Sequence, residues 1–391
     1  MDLLLTALAG SDLPKGSIGQ YSDSALYFAY LARIRNDDLL AAEAVDRLNA
    51  AIGFANAGSS PGIHAGITGL GWKVAHVASV LASAPQSRGR PDIAHLLASI
   101  VELNSEIDNY LADRIRRASA NTNYDLISGL AGWGVYLLDM QPSPASRERL
   151  GEILSLFESS AETLGDCIRW HTNPVLLPDW QRELSPDGYY NLGLAHGIPG
   201  TLYFFAELIA NGLNQDRAYR LLNGGMRWLA SQQHRFRLVQ FDSWIPSGPE
   251  PPNRLAWCYN DLGIAGALAH VVRRAQCPEW NGFVGDVLDH CIAVAHECES
   301  RDAAVCHGTA GAAHIFNRLY HIGSNPGCRQ AALEYFERTL TRLESGTLGS
   351  DNFPPPPQPG SLLRGLTGVG LALLGALTSL EPRWDRLLFI S

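Results

Sequence analysis

The sequence predicts an all-α protein, an α/α toroid of repeated helical hairpins, and three observations lead there. A glycine-spaced apolar phrase returns six times: GIHAGITGLGW (62–72), LISGLAGWGVYLL (126–138), LAHGIPGTLYFF (194–205), LGIAGALAHV (262–271), CHGTAGAAHIF (306–316) and LLRGLTGVGLALL (362–374). Amphipathic, helix-like segments lie between the phrases, and period-two runs rich in Val, Ile and Thr are nearly absent. Self-similarity at intervals of this length marks a repeat architecture.

The glycines assigned to the phrase openings are Gly66, Gly129, Gly197, Gly263, Gly308 and Gly365. They lie 63, 68, 66, 45 and 57 residues apart, which is room for two helices and their loops. The outer helix of a repeat is represented by Asp37 to Ala51, with apolar residues at 39, 40, 45 and 48 and acids between them. Segments 147–164, 215–232 and 281–299 follow the same pattern. The phrases themselves supply the inner helices. Their small side chains allow close approach, and a glycine at a helix start leaves backbone N–H groups exposed. Closing such hairpins into a ring brings the inner-helix beginnings to one end of a central funnel. Residues 1–391 are expected to form this one domain, although length alone suggests two or three.

Three proline-bearing stretches interrupt the helices, because proline cannot continue one. They are Trp170 to Asn191, Gln240 to Asn253, and Asp351 to Gly360 with its run of prolines. Each leads into a phrase and is expected to form a rim loop with a use in substrate binding.

A hydrophobic content of 46% is enough for a large core. The formal charge of −9, from 39 acids against 30 bases, disfavours a nucleic-acid partner, which needs a basic footprint. Seven cysteines form no paired framework, so reduced thiols and a cytoplasmic location are expected. The opening Met1-Asp2-Leu3-Leu4-Leu5 has no basic region of the kind a signal peptide carries. The uncharged stretch Gly365 to Leu380 has 16 residues against the ~20 of a membrane span, so it reads as a buried helix, with no transmembrane segment expected.

The chemistry concentrates in WCYN (257–260) and CHGTAG (306–311). Cys258, Cys306 and His307 are the ligand types of a catalytic zinc site that keeps a fourth position open. The two short-spaced pairs of a closed zinc finger are absent. Taken singly, these would be small buried residues. Set at matching points of successive repeats, they read as a metal site. A rival set, His290, Cys291, His296 and Cys298, fails on distance. Cys291 and Cys298 are seven residues apart, about 10.5 Å along a helix, too far for one ion with bonds of about 2.3 Å. His314, two turns after His307, is out of reach for the same reason.

His196 opens the third phrase, and Asp125 lies just before the second. A lone histidine is more often structural. At this slot it faces the same end of the funnel as His307, and an aspartate beside it would raise its pKa and orient it for proton transfer. Arg254 and Tyr259 flank Cys258. Arg254 could hold a carboxylate or enolate oxygen and Tyr259 could donate a hydrogen bond, or they could be a solvated Arg and a packed Tyr. His64 starts the first phrase and is expected to line the funnel.

YDLISGLAGWG, NLGLAHGIPG, RLAWCYN, CHGTAG and LLRGLTGVGLAL occur in the order of the LanC-type lanthionine cyclases, and from about Gly62 to Leu374 the chain resembles that lanthionine synthetase C-like family. The resemblance implies one zinc ion on Cys258, Cys306 and His307, with catalytic roles for Asp125, His196, Arg254 and Tyr259. It implies a leader-bearing precursor peptide, dehydrated at Ser and Thr, as substrate. A peptide Cys thiol then adds to dehydroalanine or dehydrobutyrine and closes a (methyl)lanthionine ring. A dehydratase and a transporter of a biosynthetic complex are the implied partners. Two residues depart from the family pattern: Asn260, where Gly usually follows WCY, and Arg364, where an acid is common. No strand-rich insertion is visible.

The chemistry suits these residues. A thiol of pKa near 8.5 is a weak nucleophile at neutral pH, and coordination to a metal deprotonates it. Addition leaves an enolate, for which Arg254 is a candidate partner, and an α-carbon that needs a proton, for which His196 beside Asp125 is the natural donor. Two rival classes stand beside this one. Another toroid enzyme could be a prenyltransferase-type thiol activator or a glycosidase, although the latter lacks a convincing acid pair. A LanC-like protein could keep zinc and bind thiols such as glutathione without cyclising anything.

Overall fold

The computed structural model describes residues 8, 17–83, 91–119, 121–140, 143–246, 253–298, 300, 302–346 and 358–391. In chain order its α-helices are α1 (Ile18–Arg35), α2 (Asp38–Phe54), α3 (Ile67–Ala82), α4 (Pro91–Arg116), α5 (Leu130–Asp139), α6 (Pro144–Ser160), α7 (Asp179–Leu184), α8 (Ile198–Ala210), α9 (Gln215–Ser231), α10 (Asp261–Ala275), α11 (Asn281–Val294), α12 (Thr309–Gly323), α13 (Pro326–Glu344) and α14 (Leu366–Leu377). Helices α1, α3, α5, α8, α10, α12 and α14 touch one another in that order, and α14 returns to α1, closing a ring. Helices α2, α4, α6, α9, α11 and α13 each pack on the inner helix that precedes them. This is the α/α toroid expected from the repeat.

The described ring has seven inner helices, one more than the glycine phrases announce. Helix α1 opens on Ser17, whose side chain caps Gln20, and has no G-x-x-G. It is buried almost all round, including Gln20, Ser22, Asp23 and Ser24. Those polar residues hide it from any search for apolar periodicity.

The phrase itself has a steric cause. A Cβ on Gly311 would collide with the Val305 carbonyl, and one on Gly368 with the Leu362 carbonyl. The chain folds back over the first turn of the inner helices that carry the phrase, and at these positions only glycine leaves room. Gly66, Gly129, Gly197, Gly308 and Gly365 are the residues that cap their helices, as expected. The fourth phrase needs a correction. Helix α10 opens after Asn260, and Gly263 is the phrase's second glycine, set against the Trp257 carbonyl. The spacing from the third opening to the fourth is therefore 63 residues, and the next is 48.

The loops before the inner helices are stitched side by side by main-chain hydrogen bonds. Ile63 N donates to Ile127 O (3.0 Å), Leu126 N to Ala195 O (3.3 Å), Ala195 N to Cys258 O (3.3 Å), Cys258 N to Cys306 O (3.1 Å) and Cys306 N to Leu363 O (2.8 Å). All six phrase openings therefore lie at one end of the ring. Between the last phrase and the first, a buried ion pair completes the circuit. Asp23 of α1 accepts from Leu362 N (2.8 Å) and pairs with Lys73 Nζ (2.5 Å), which also donates to His64 O (2.5 Å). Lys73 is fully buried and Asp23 is 5% exposed. Lys73→Met leaves that carboxylate buried without its partner. We expect a loss of about 3–5 kcal/mol in urea unfolding, most of it recovered in the double variant Lys73→Met/Asp23→Leu. A single variant as stable as the parent would show that the pair does not hold the ring closed.

The C-terminal segment fills the ring from the other end. A 3-10 helix, Arg383–Leu388, is followed by buried Phe389 and Ile390. Asp385 meets His314 (3.0 Å) and Arg318 (2.9 Å), Trp384 N donates to Tyr30 Oη (3.2 Å), and Leu388 O accepts from Trp257 Nε1 (2.8 Å). His314 is thus a structural residue, far from any ligand role.

Strands are few, as expected. β1 (Ala161–Leu164) pairs antiparallel with β2 (Cys167–Trp170), and β3 (Tyr190–Asn191) with β4 (Trp244–Ile245). The β1–β2 turn uses Gly165 at φ +59°, a conformation open to glycine. The helix expected over 147–164 therefore stops at Ser160, and that expected over 281–299 stops at Val294. The rim stretch 170–191 is more ordered than a plain loop, with a 3-10 turn (Pro174–Leu176), α7 and β3. Residues 1–7, 247–252 and 351–357, where the opening residues and parts of the other two proline stretches fall, lie outside the described residues.

Candidate metal centre and its funnel

Counting back from each helix-opening residue, Cys258 and Cys306 share the second position, while His196, Tyr259, His307 and Arg364 share the first. Repeat geometry turns these matching positions into neighbours. Trp257 N and Cys258 N both donate to Cys306 O, which holds the two cysteine loops together. The donor atoms of Cys258, Cys306 and His307 lie within 4.8 Å of one another, and no other such group occurs among the described residues.

Asp302 is a residue the sequence did not single out. Its Oδ2 lies 3.3 Å from His307 Nε2, and its Oδ1 accepts from Ala304 N (2.5 Å). Ser300 Oγ donates to His307 O (2.9 Å). Ligating histidines regularly place their second nitrogen on a carboxylate. An acid four residues before Cys306 was the one signal, and no spacing rule marks it. The hydrogen bond from Cys306, with the charges of His307 and Arg254, holds the Cys258 thiol well below its ordinary pKa. The same bond pushes the Cys306 thiol up.

His196 Nδ1 lies 2.6 Å from Asp125 Oδ2. Asp125 is buried and its Oδ1 accepts from Ser128 N (2.8 Å). The His196 side chain is 44% exposed, so it stays open to the funnel. Burial opposes charging the imidazole, but the hydrogen bond and charge of Asp125 outweigh it and raise the His196 pKa. Burial likewise opposes ionising Asp125, and the bond from His196 outweighs it and lowers the Asp125 pKa.

Tyr259 is placed beside this pair, its ring 6.3 Å from that of His196. Its hydroxyl accepts from Asn191 Nδ2 (3.2 Å). Gly193 is needed here because a Cβ would press on the Tyr259 ring and the Cys258 carbonyl. Arg254 Nε is buried with no hydrogen-bond partner among the described residues, and its charge reaches both thiols. From Tyr259 an aromatic row leads outward through Trp244 (6.2 Å), which stacks on Tyr189 (5.3 Å), to half-exposed Trp180 (6.3 Å).

Asn260, a departure from glycine, adopts φ 76° and ψ 177°. That region belongs to glycine and costs an asparagine roughly 1–3 kcal/mol. Its Nδ2 donates to Arg254 O (2.8 Å), so the strained residue also anchors the Arg254 main chain. The rival metal set is scattered: His290 binds Leu238 O (3.0 Å), the His296 side chain is 68% exposed, and burial pushes the Cys291 and Cys298 thiols up. All seven cysteines are free of disulfides. A cavity of about 1640 Å³ opens among Trp72, His76, Arg273, Arg318 and Arg386, at the end filled by the C-terminal segment, and none of the candidate residues lines it.

No helix among the described residues is long and apolar enough to cross a membrane. A solved structure titled "Nisin cyclase" superposes with a TM-score of 0.78 at 16% identity, covering 99% of this chain and 96% of that one. The family model described as "Lanthionine synthetase C-like protein" matches residues 10–389. With that match over nearly its whole length, the chain belongs to the lanthionine synthetase C-like family.

Proposed function

We propose that the protein is a zinc-dependent lanthionine cyclase. It adds a cysteine thiol of a dehydrated precursor peptide to dehydroalanine or dehydrobutyrine and closes a thioether ring. The observation that carries this reading is the joining, in one funnel, of a Cys258–Cys306–His307 donor set with the His196–Asp125 pair. The donor chemistry fits zinc: two soft sulfurs and an imidazole whose other nitrogen faces a carboxylate. Bound there, zinc supplies the charge that lets a thiol ionise near neutral pH.

The chain's own residues then divide the work. Cys258, Cys306 and His307 would hold the metal, with Asp302 orienting His307. Arg254, whose buried Nε has no hydrogen-bond partner among the described residues, meets the negative charge that develops on the enolate oxygen. His196, kept charged by Asp125, gives a proton to the α-carbon. A carbon–sulfur bond forms at the β-carbon, the alkene electron pair moves into the enolate, and the thiol's proton is lost as one is gained. Tyr259 borders His196 and is positioned by Asn191. A dehydratase must act first to make the alkene.

Ring closure leaves the peptide mass unchanged and removes a free thiol. After incubation with a dehydrated peptide, a thiol-alkylating reagent should add to fewer cysteines, as read by mass spectrometry. Full alkylation, together with tight binding of glutathione by the purified protein, would replace the cyclase with a thiol-binding role.

A further inference from the structure

The position that carries Cys258 and Cys306, two residues before the helix opening, carries His64 in the loop before α3. In two repeats that position sends a thiol into the funnel, and in this one it sends an imidazole. Its ring meets Trp257 at 5.8 Å and 65°. Helices α3 and α10 are not neighbours in the ring, so His64 and Trp257 meet across the funnel. Trp257 is tied from below to Leu388 O, which places this contact on the funnel floor, next to Cys258.

His64 is only 5% exposed, and its ring nitrogens have at most one weak partner among the described residues, the Leu387 main chain, which approaches one of them outside good hydrogen-bond geometry. A buried polar atom without a partner is costly. An aromatic hydrocarbon would pack on Trp257 without that cost. The charged groups around the ring are Lys73, Asp125 and His196, from three successive inner-helix repeats. Burial, helped by Lys73, pulls the His64 pKa down to about 3, so the ring is neutral at physiological pH. A neutral imidazole offers one N–H donor and one acceptor nitrogen. A peptide group offers the complement, one carbonyl and one N–H.

We infer that His64 is a substrate-positioning residue, exchanging hydrogen bonds on the funnel floor with a main-chain amide of the peptide beside the reacting residue. This rests on the cyclase reading and deepens it, by naming the part of the substrate that the floor recognises. His64 acts on binding and on register, while proton transfer stays with His196.

The test compares His64→Phe with His64→Asn and His64→Gln, which keep a donor and an acceptor. Two peptides serve as probes: a synthetic dehydroalanine peptide with its cysteine, and the same peptide with Ser in place of Cys, which cannot close. His64→Phe should keep its zinc and melt near or above the parent temperature, because two buried polar atoms with little hydrogen bonding among the described residues are gone. Its KM and its Kd for the Ser peptide should rise at least tenfold, with a smaller change in kcat. One of the two amide variants should return both to within about threefold of the parent. Should His64→Phe fail to fold, His64→Leu, which is smaller than the ring, carries the same comparison. Unchanged KM and Kd would overturn the inference and leave the cyclase intact, and zinc loss would overturn it by moving His64 into the metal site. A parent that binds the Ser peptide through His64 but cyclises nothing would sink the cyclase reading alone. No binding of either peptide would sink both.

Discussion

Ring formation by His196→Asn is expected to slow by roughly 10²–10⁴-fold, the range for loss of a general acid or base, with metal content unchanged. Asparagine keeps a hydrogen-bonding group near Asp125 but no proton that titrates near neutrality. Unchanged metal is expected because His196 stands outside the set of three donors. The pH dependence gives a second reading. If His196 is the proton donor proposed above, its acid form is the active one; its pKa is raised, so the parent rate should fall as pH rises through that value, above the ordinary 6.5. Cys258, Tyr259 and His64 also surround this imidazole, so its own contribution is isolated with Asp125→Asn. Without the carboxylate, burial dominates, the imidazole pKa drops, and the alkaline limb should move to lower pH.

The stability contribution follows the same signs. The part due to His196 is complete below its unfolded pKa and is lost as pH rises through the folded value. The part due to Asp125 is present above its unfolded pKa and is lost as pH falls through the folded one. The pair therefore stabilises most between about pH 4 and 6.5. The double variant should be little slower than the slower single one, since the two act as a unit. Cyclisation at the parent rate in both single variants would remove the proton-donor role, and loss of zinc in His196→Asn would place it among the ligands.

Cys258→Ala should lose most of its zinc and with it all measurable cyclisation, and His307→Ala should do the same. One of three protein donors is removed, and the two that remain are a thiol and an imidazole. The fold should survive. The ring is held by the glycine phrases, the loop-to-loop hydrogen bonds and the C-terminal segment, none of which needs an ion. Asp302→Asn should be milder, weakening zinc by roughly 10–100-fold, because it disturbs the orientation of His307 and removes no donor. Cys291→Ala, in the rival cluster, should keep a full complement. Elemental analysis of the purified variants decides the matter. Full zinc in both Cys258→Ala and His307→Ala would locate the metal elsewhere and take the proposed function with it.

The cluster of Cys258, Cys306 and His307 could be anticipated from the chain because each candidate donor sits at a fixed count from a helix-opening residue. Once the hairpins close into a ring, equal counts become equal depths in one funnel, and Cys258, Cys306, His307 and His196 come together without further information. The fourth phrase showed the limit of counting. Five phrases carry a capping glycine and a second glycine three residues on, each set against a loop carbonyl; in the fourth, Asn260 takes the first place and only Gly263 is left to mark the opening. Helix α1 stayed hidden for another reason, since its buried face carries Gln20, Ser22, Asp23 and Ser24.

The sequence by itself determined the toroid, its family and the position of the candidate donors along each repeat, because these follow from the recurring glycines and from residues at a constant offset from the helix openings. Tertiary structure alone decided how the ring closes and what surrounds the donors. The Lys73–Asp23 pair, the Asp302 contact with His307, the Leu388 contact beneath Trp257 and the packing of His64 on Trp257 are all meetings across the ring or within a folded loop. No period in the chain encodes them, because partners that meet only when the last hairpin docks on the first have no fixed separation in sequence.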